Sequence, residues 1–346
     1  MNDKSKNKYL IECLNKNSQI NELMALKKNV CLNQSISDVG IFDSGNIICS
    51  TLDGSFSIFD SNFERIQYKK IEKEEDQIIS IAIKAQNILY FGFKSGDVEI
   101  WNVKNPANFK FEMFKRRNCH NSFIYQILLF RYYFFTCSED KTIKKWNIRK
   151  FDDDCLYEIN EEKEGLLGEI YSIIYNENFK ILVSSGSEGT FIFHEYSDNK
   201  FQKIITYDKI ISDMKINFKN SLQLFDENDQ LIKFIIGNEK IIIFSISKEL
   251  KININYTIEL NYKCLSICVI KMKEKIIFLT SEIRYNDDEN HTIKFYQKSG
   301  DNYLKYKERE SHKKEIIGII LYPNIINTFI SFSLDNYLKL WNLTIE

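Results

Sequence analysis

The chain has 346 residues, 44% of them hydrophobic, and a formal net charge of -1. That length holds two average domains or one large all-β domain, and the composition is that of a globular protein with a sizeable core. The near-neutral balance argues against a sequence-wide nucleic-acid or membrane-surface role, which would call for a basic excess.

The N-terminal stretch "MNDKSKNKYLIECLNKNSQ" is basic, but Glu12 and Asn15 interrupt its apolar part, so it does not read as a signal peptide. Residues 1–20 are expected to form a tail or a short helix, the latter with Tyr9, Leu10, Cys13 and Leu14 on one face. A strand fits the same residues. No apolar run of about 18 residues occurs, so no membrane span is expected. The eight cysteines then read as free thiols in a reducing compartment, cytoplasmic or nuclear.

After a strand-like segment "ELMALKKNV", Glu22 to Val30, one pattern keeps returning: a polar turn, then an alternating strand that closes on an aromatic or similar residue. It ends at Phe59 in "DGSFSIF", Trp101 in "SGDVEIW", Trp146 in "SEDKTIKKW" and His194 in "EGTFIFH". It continues to Phe244 in "NEKIIIF", Tyr296 in "NHTIKFY" and Trp341 in "SLDNYLKLW". The spacings are 42, 45, 48, 50, 52 and 45 residues, near the period of a four-stranded β-propeller blade. Seven such units consume nearly the whole chain and leave no room for a separate catalytic domain.

Within a unit, the inner strands are continuous apolar runs, as in "FIYQILLF" and "YFFTCS" of the third, and the outermost strand is more polar. The chain stops five residues after Trp341, so the last unit lacks an outer strand. Glu22–Val30 is expected to supply it and so remove the open sheet edges that invite aggregation. The expectation is an all-β, seven-bladed propeller of four-stranded antiparallel blades over residues 21–346, closed by an N-terminal strand.

These units resemble those of WD-repeat proteins from about residue 22 to 346, most closely in the third and seventh. The resemblance implies a hydrogen-bonded His, Ser/Thr, Asp and Trp set in a blade. The matching residues are His120, Thr136, Asp140 and Trp146 in the third unit, and His312, Ser331, Asp335 and Trp341 in the seventh. An Asp in a tight turn accepts from an imidazole N–H, and the second ring nitrogen accepts from the hydroxyl, whose oxygen accepts from the indole N–H. Two of the four histidines in the chain fall at this one position. The other units are degenerate: Phe59, His194, Phe244 and Tyr296 replace the tryptophan, and Trp101 has no upstream histidine.

The resemblance also implies a non-catalytic platform of a eukaryotic type for protein partners in a multisubunit complex, with docking mainly on the top face. No cofactor or metal is expected. A His–Ser/Thr–Asp order suggests a hydrolase triad, but here it repeats with a Trp attached, which favours a structural role. No G-x-S-x-G, P-loop or H-E-x-x-H occurs. Cys264 and Cys268 lack zinc-site spacing and, four apart in a strand, are expected on one buried face.

Candidate contact residues are Asn121 and Phe123 in the loop 118–123, the loop 164–169, and Lys313 and Lys314. "SEIRYNDDENHT" lengthens the turn between second and third strands in the sixth unit, adding Arg284, Tyr285, Asp287 and Asp288. Arg and Tyr are favoured at interface hot spots, and the calcium-loop glycine and distal glutamate are missing from "NDDEN". "FKRRNCH" loosely resembles the Phe-Arg-Arg-Gly motif of phosphoinositide-binding propellers, with Asn118 in place of the glycine. It is expected to be a solvated loop, with membrane binding the alternative function.

Overall fold

The computed structural model describes residues 24–343 apart from 72–75, 86, 106–109, 152–154, 161–167, 188–190, 198–199, 208–221, 229–230, 238–239, 248, 250, 261–263, 273–274, 283–289, 300–301, 324 and 326. The tail or helix expected over residues 1–20 lies outside the described residues.

Strand β1 (Met24–Cys31) precedes a series of four-stranded antiparallel sheets. The first sheet is β2 (Ile36–Ile41), β3 (Ile47–Thr51), β4 (Ser55–Phe59) and β5 (Arg65–Lys70). The second is β6 (Ile78–Lys84), β7 (Ile88–Phe93), β8 (Asp97–Asn105) and β9 (Lys110–Asn118). Next come β10 (Ile124–Phe130), β11 (Tyr133–Ser138), β12 (Thr142–Asn147) and β13 (Tyr157–Asn160). They are followed by β14 (Ile170–Asn176), β15 (Ile181–Gly186), β16 (Phe191–Ser197) and β17 (Lys200–Tyr207). Then stand β18 (Leu222–Asn228), β19 (Leu231–Gly237), β20 (Lys240–Ser247) and β21 (Ile252–Glu259). After these are β22 (Cys264–Met272), β23 (Lys275–Glu282), β24 (His291–Ser299) and β25 (Asn302–His312). The last sheet joins β26 (Ile316–Leu321), β27 (Thr328–Ser333) and β28 (Tyr337–Leu343) to β1, with Leu26 opposite Trp341 and Val30 opposite Leu338.

First strands touch in succession, β2 to β6, β10, β14, β18, β22 and β26, and β26 touches β2. Every residue of β3 and β4 is buried, whereas β5 and β21 hold only exposed and half-buried residues. Inner strands are apolar on both sides because each sheet packs its faces against two neighbouring sheets. Between the first two sheets, Phe56 meets Phe91 with centroids 5.1 Å apart and Trp101 at 6.4 Å. Between the last sheet and the first, Val39 and Phe59 share a core with Ile330, Phe332 and Leu340. Each such side chain contributes about 1.5–3 kcal/mol by leaving water.

The ladder between β22 and β23 shifts register between Cys264 and Ser266. That extra residue corrects the expectation for the two cysteines. Cys264 packs with Ile241, Ile243 and Phe278, whereas Cys268 packs with Met24, Ile277 and Leu279. A bulge adds one residue to a two-residue period, so everything beyond it changes face. The same shift recurs at the start of β2, β6, β10, β14 and β26.

Just past the bulge, polar side chains tie neighbouring sheets together. The innermost strands have an open edge, and a buried N–H there needs an acceptor. Ile81 N–H donates to the Asp38 carboxylate, Ile173 N–H to Gln126 Oε1 at 2.8 Å, and Ile319 N–H to Ser266 Oγ at 3.0 Å. In each case the acceptor comes from the preceding sheet. This device was legible only as one polar residue inside an apolar run.

Candidate functional site

His120 lies between β9 and β10, and Asp140 in the turn between β11 and β12. Their contact puts both kinds of connection at one end of the sheets. His120 Nδ1 stands 2.9 Å from Asp140 Oδ2, and its Nε2 2.6 Å from Thr136 Oγ1. Trp146 Nε1–H donates to the same Thr136 oxygen at 2.9 Å. His312, the end of β25, reaches into the last sheet, 3.0 Å from Asp335 and 2.7 Å from Ser331, to which Trp341 donates at 2.8 Å.

The hydroxyl oxygen accepts the indole N–H; with a neutral imidazole its own proton goes to Nε2, and Nδ1–H donates to the carboxylate. Burial agrees, pushing the pKa of both histidines down against the pull of Asp140 and Asp335. Burial would raise the Asp335 carboxyl, but the His312 N–H and the amides of Lys313 and Tyr337 outweigh it and lower its pKa to about 2. Asp140 is likewise held below the usual carboxylate range: burial opposes, and bonds from His120, Thr142 and the Asn121 amide prevail. One strand over, Lys144 Nζ donates to the Cys119 carbonyl at 2.9 Å, and Lys339 to that of Ser311.

The second sheet solves the same problem with charge. Trp101 Nε1–H donates to Glu99 Oε2 at 2.8 Å, and Glu99 Oε1 is 3.1 Å from Arg116, which also pairs with Asp97. Glu99 is 1% exposed, and burial raises its pKa, opposed by the Trp101 bond and the Arg116 charge. In the sixth sheet a buried Lys294–Glu282 pair lies beside Tyr296. Sequence reasoning missed both arrangements. Their signal was a charged residue two places before the closing aromatic.

The run Lys115–Arg117 is not a solvated loop but part of outer strand β9. Arg116 is held by carboxylates, while Arg117 donates to the Phe151 carbonyl at 2.9 Å and lies 5.3 Å from the Trp146 ring centroid. Pairing with β8, which sets Arg116 opposite Glu99 and Arg117 opposite Val98, makes this run an outer strand, so the expected loop is corrected.

Asn121, Lys313 and Lys314 are exposed and Phe123 is half-buried, with the Lys94 ammonium 5.1 Å from its ring centroid. Arg284, Tyr285, Asp287 and Asp288 lie outside the described residues, as does the loop 164–169 except Gly168 and Glu169. Glu169 accepts from Tyr171 at 2.7 Å and Tyr125 at 3.2 Å, and the two rings stand 4.9 Å apart. These bulge-position tyrosines share a cluster with Ile79 and Leu265 of other sheets, an apolar plug where the first strands converge.

Among the described residues no group of three or more His, Cys, Asp or Glu is placed to hold a metal ion, and no helix is long and apolar enough to cross a membrane.

No protein-family model matches the chain, and no curated protein matches it. Solved structures do. A chain in the crystal structure of the mitotic checkpoint complex superposes with TM-score 0.75 over 93% of this chain and 92% of its own, at 12% identity. The Swd1 (Cps50) β-propeller domain of Myceliophteria thermophila superposes with TM-score 0.68 over 93% of this chain and 100% of its own, at 13% identity. The chain is an all-β propeller. At such identities the likeness shows the fold alone.

Proposed function

We propose that the chain is a closed, seven-bladed WD-repeat propeller spanning residues 21–346, which serves as a non-catalytic docking platform for protein partners. Support for the blade count comes from the seven four-stranded sheets among the described residues, and for closure from the β1–β28 pairing and the core shared by last and first sheets. The mitotic checkpoint complex, one chain of which is similar to this one, is an assembly, in keeping with a partner-binding role.

One observation carries the top-face reading. Each half-buried Asp that holds a histidine also accepts the backbone amide of an exposed neighbour: Asn121 N–H to Asp140 at 3.0 Å and Lys313 N–H to Asp335 at 2.9 Å. The exposed loops are thus rigid before a partner arrives, which lowers the ordering cost of association. Fold alone does not name a task, and loops on a rigid scaffold carry it.

The test is affinity purification of the tagged chain from its own cells, beside a variant with Asn121, Phe123, Lys313 and Lys314 changed to alanine. Stoichiometric companions with the parent and their loss with the folded variant are expected. A monomer without companions, repeated under crosslinking, refutes the reading.

A further inference from the structure

Between β1 of the last sheet and β4 and β5 of the first lies a cavity of about 760 Å³, lined in part by Leu32, Asp53, Ser57, Phe59 and Tyr68. Its origin emerges from comparing register positions. Two places before the closing aromatic stand Glu99, Lys144, Lys294 and Lys339 in the second, third, sixth and seventh sheets, but Ser57 in the first. The residue matching His120 and His312 is Leu32. So the first sheet lacks both the ammonium and the imidazole that fill this space from within the third and seventh.

The turn carboxylate remains. Asp53 occupies the place of Asp140 and Asp335, yet it has no imidazole donor. Thr51 Oγ1 at 2.7 Å, Ser55 Oγ at 2.8 Å and the Ser55 N–H at 3.1 Å all reach its Oδ1, leaving Oδ2 without a hydrogen bond. Lys28 of β1 reaches across to the first sheet, donating to the Ser61 carbonyl and Asn62 Oδ1, both at 2.9 Å. The outer side is open, where Tyr68 is 50% exposed.

We propose that this cavity seats one basic side chain, lysine or arginine, presented by an extended segment of a partner protein. Its aliphatic stem lies on Leu32 and Phe59, and its cationic head bonds Asp53, as Lys144 and His120 together occupy the corresponding space in the third sheet. Long basic side chains suit such a site because their stems cover apolar surface while the head keeps polar partners. Arg65, exposed on β5, lines the cavity, and the Lys70 charge acts on Asp53, so acidic residues flanking the basic one favour binding. The site goes beyond the top-face reading, and its test does not depend on those loops.

Fluorescence polarisation with the full chain tests it, using labelled Glu-Ala-Arg-Ala-Glu, the lysine version and a version with neutral citrulline at the centre. The basic peptides bind saturably and the citrulline peptide at least tenfold more weakly. Ser57→Lys, which supplies the missing side chain in cis, and Asp53→Asn each weaken binding at least tenfold, while Ser57→Ala does not. Equal binding of citrulline, undiminished binding by Ser57→Lys, or no saturation at millimolar peptide overturns the proposal. Should Ser57→Lys not fold, Asp53→Asn and the citrulline peptide decide. Loss of companions in the top-face variant with peptide binding intact would separate the two sites.

Discussion

Asp140→Ala and Asp335→Ala remove the same carboxylate from two similar sets, yet they should differ in cost. Asp140 accepts from His120 Nδ1, the Thr142 amide, Thr142 Oγ1 and the Asn121 amide. Asn121 is exposed, so its amide recovers water. The His120 ring is fully buried, but Thr142 Oγ1 stands only 3.0 Å from Nδ1 and can accept the orphaned proton. The loss should be about 1–2 kcal/mol. In the last sheet Tyr337 occupies the position of Thr142, and no hydroxyl stands ready for His312. A fully orphaned imidazole N–H adds its desolvation penalty, so Asp335→Ala should cost about 3 kcal/mol. Urea unfolding at pH 7.5, followed by the three tryptophans, gives both values by linear extrapolation. Adding Thr142→Val to Asp140→Ala should bring it level with Asp335→Ala. Equal costs for the two single changes, within about 0.5 kcal/mol, or no further loss in the double variant would refute the reasoning.

Acid should destabilise the protein in two stages. Both histidines have folded-state pKa values below the unfolded one, so their contribution is complete above about pH 6.5 and falls as the unfolded chain takes up protons below it. Asp335 follows: its lowered pKa contributes stability above about pH 4 that is lost toward about pH 2. Nitrogen-15 histidine spectra should show Nε2 of His120 and His312 unprotonated at pH 6; a titration above pH 6.5 would contradict the neutral tautomer. Glu99→Ala should cost about 1–3 kcal/mol by orphaning the Trp101 N–H and Arg116 together, and Glu99→Gln less, because its amide oxygen still accepts from the indole; the reverse order in thermal melts would count against the network. In thiol labelling of the native protein, exposed Cys31 should react first, whereas Cys264 and Cys268, its pKa pushed up to about 12 by burial, should react only on unfolding.

Much of the fold was legible because strand alternation and turn chemistry are local. Phe59, Trp101, Trp146, His194, Phe244, Tyr296 and Trp341 each stand in the third strand of their own sheet. The His, Ser/Thr, Asp and Trp residues were matched through the resemblance to WD-repeat units: the Asp and the Ser/Thr stand six and ten residues before the Trp in both sets, whereas the histidine stands 26 residues before it in one and 29 in the other. Lys115–Arg117 was misread because its polarity suits a loop and an outer strand equally, and only the pairing with β8 separates the two.

By itself, the sequence determined the period, the strand order within a unit and the polar residues able to meet at one end. The tertiary structure alone decided which face each residue takes and what fills the space between sheets. One bulge residue sends Cys264 and Cys268 to opposite cores, Glu99 takes the indole proton that a hydroxyl takes elsewhere, and Ser57 opens a cavity that only its neighbours' bulk reveals. These outcomes depend on side chains distant in sequence competing for one volume and one set of donors, and no local pattern encodes that competition.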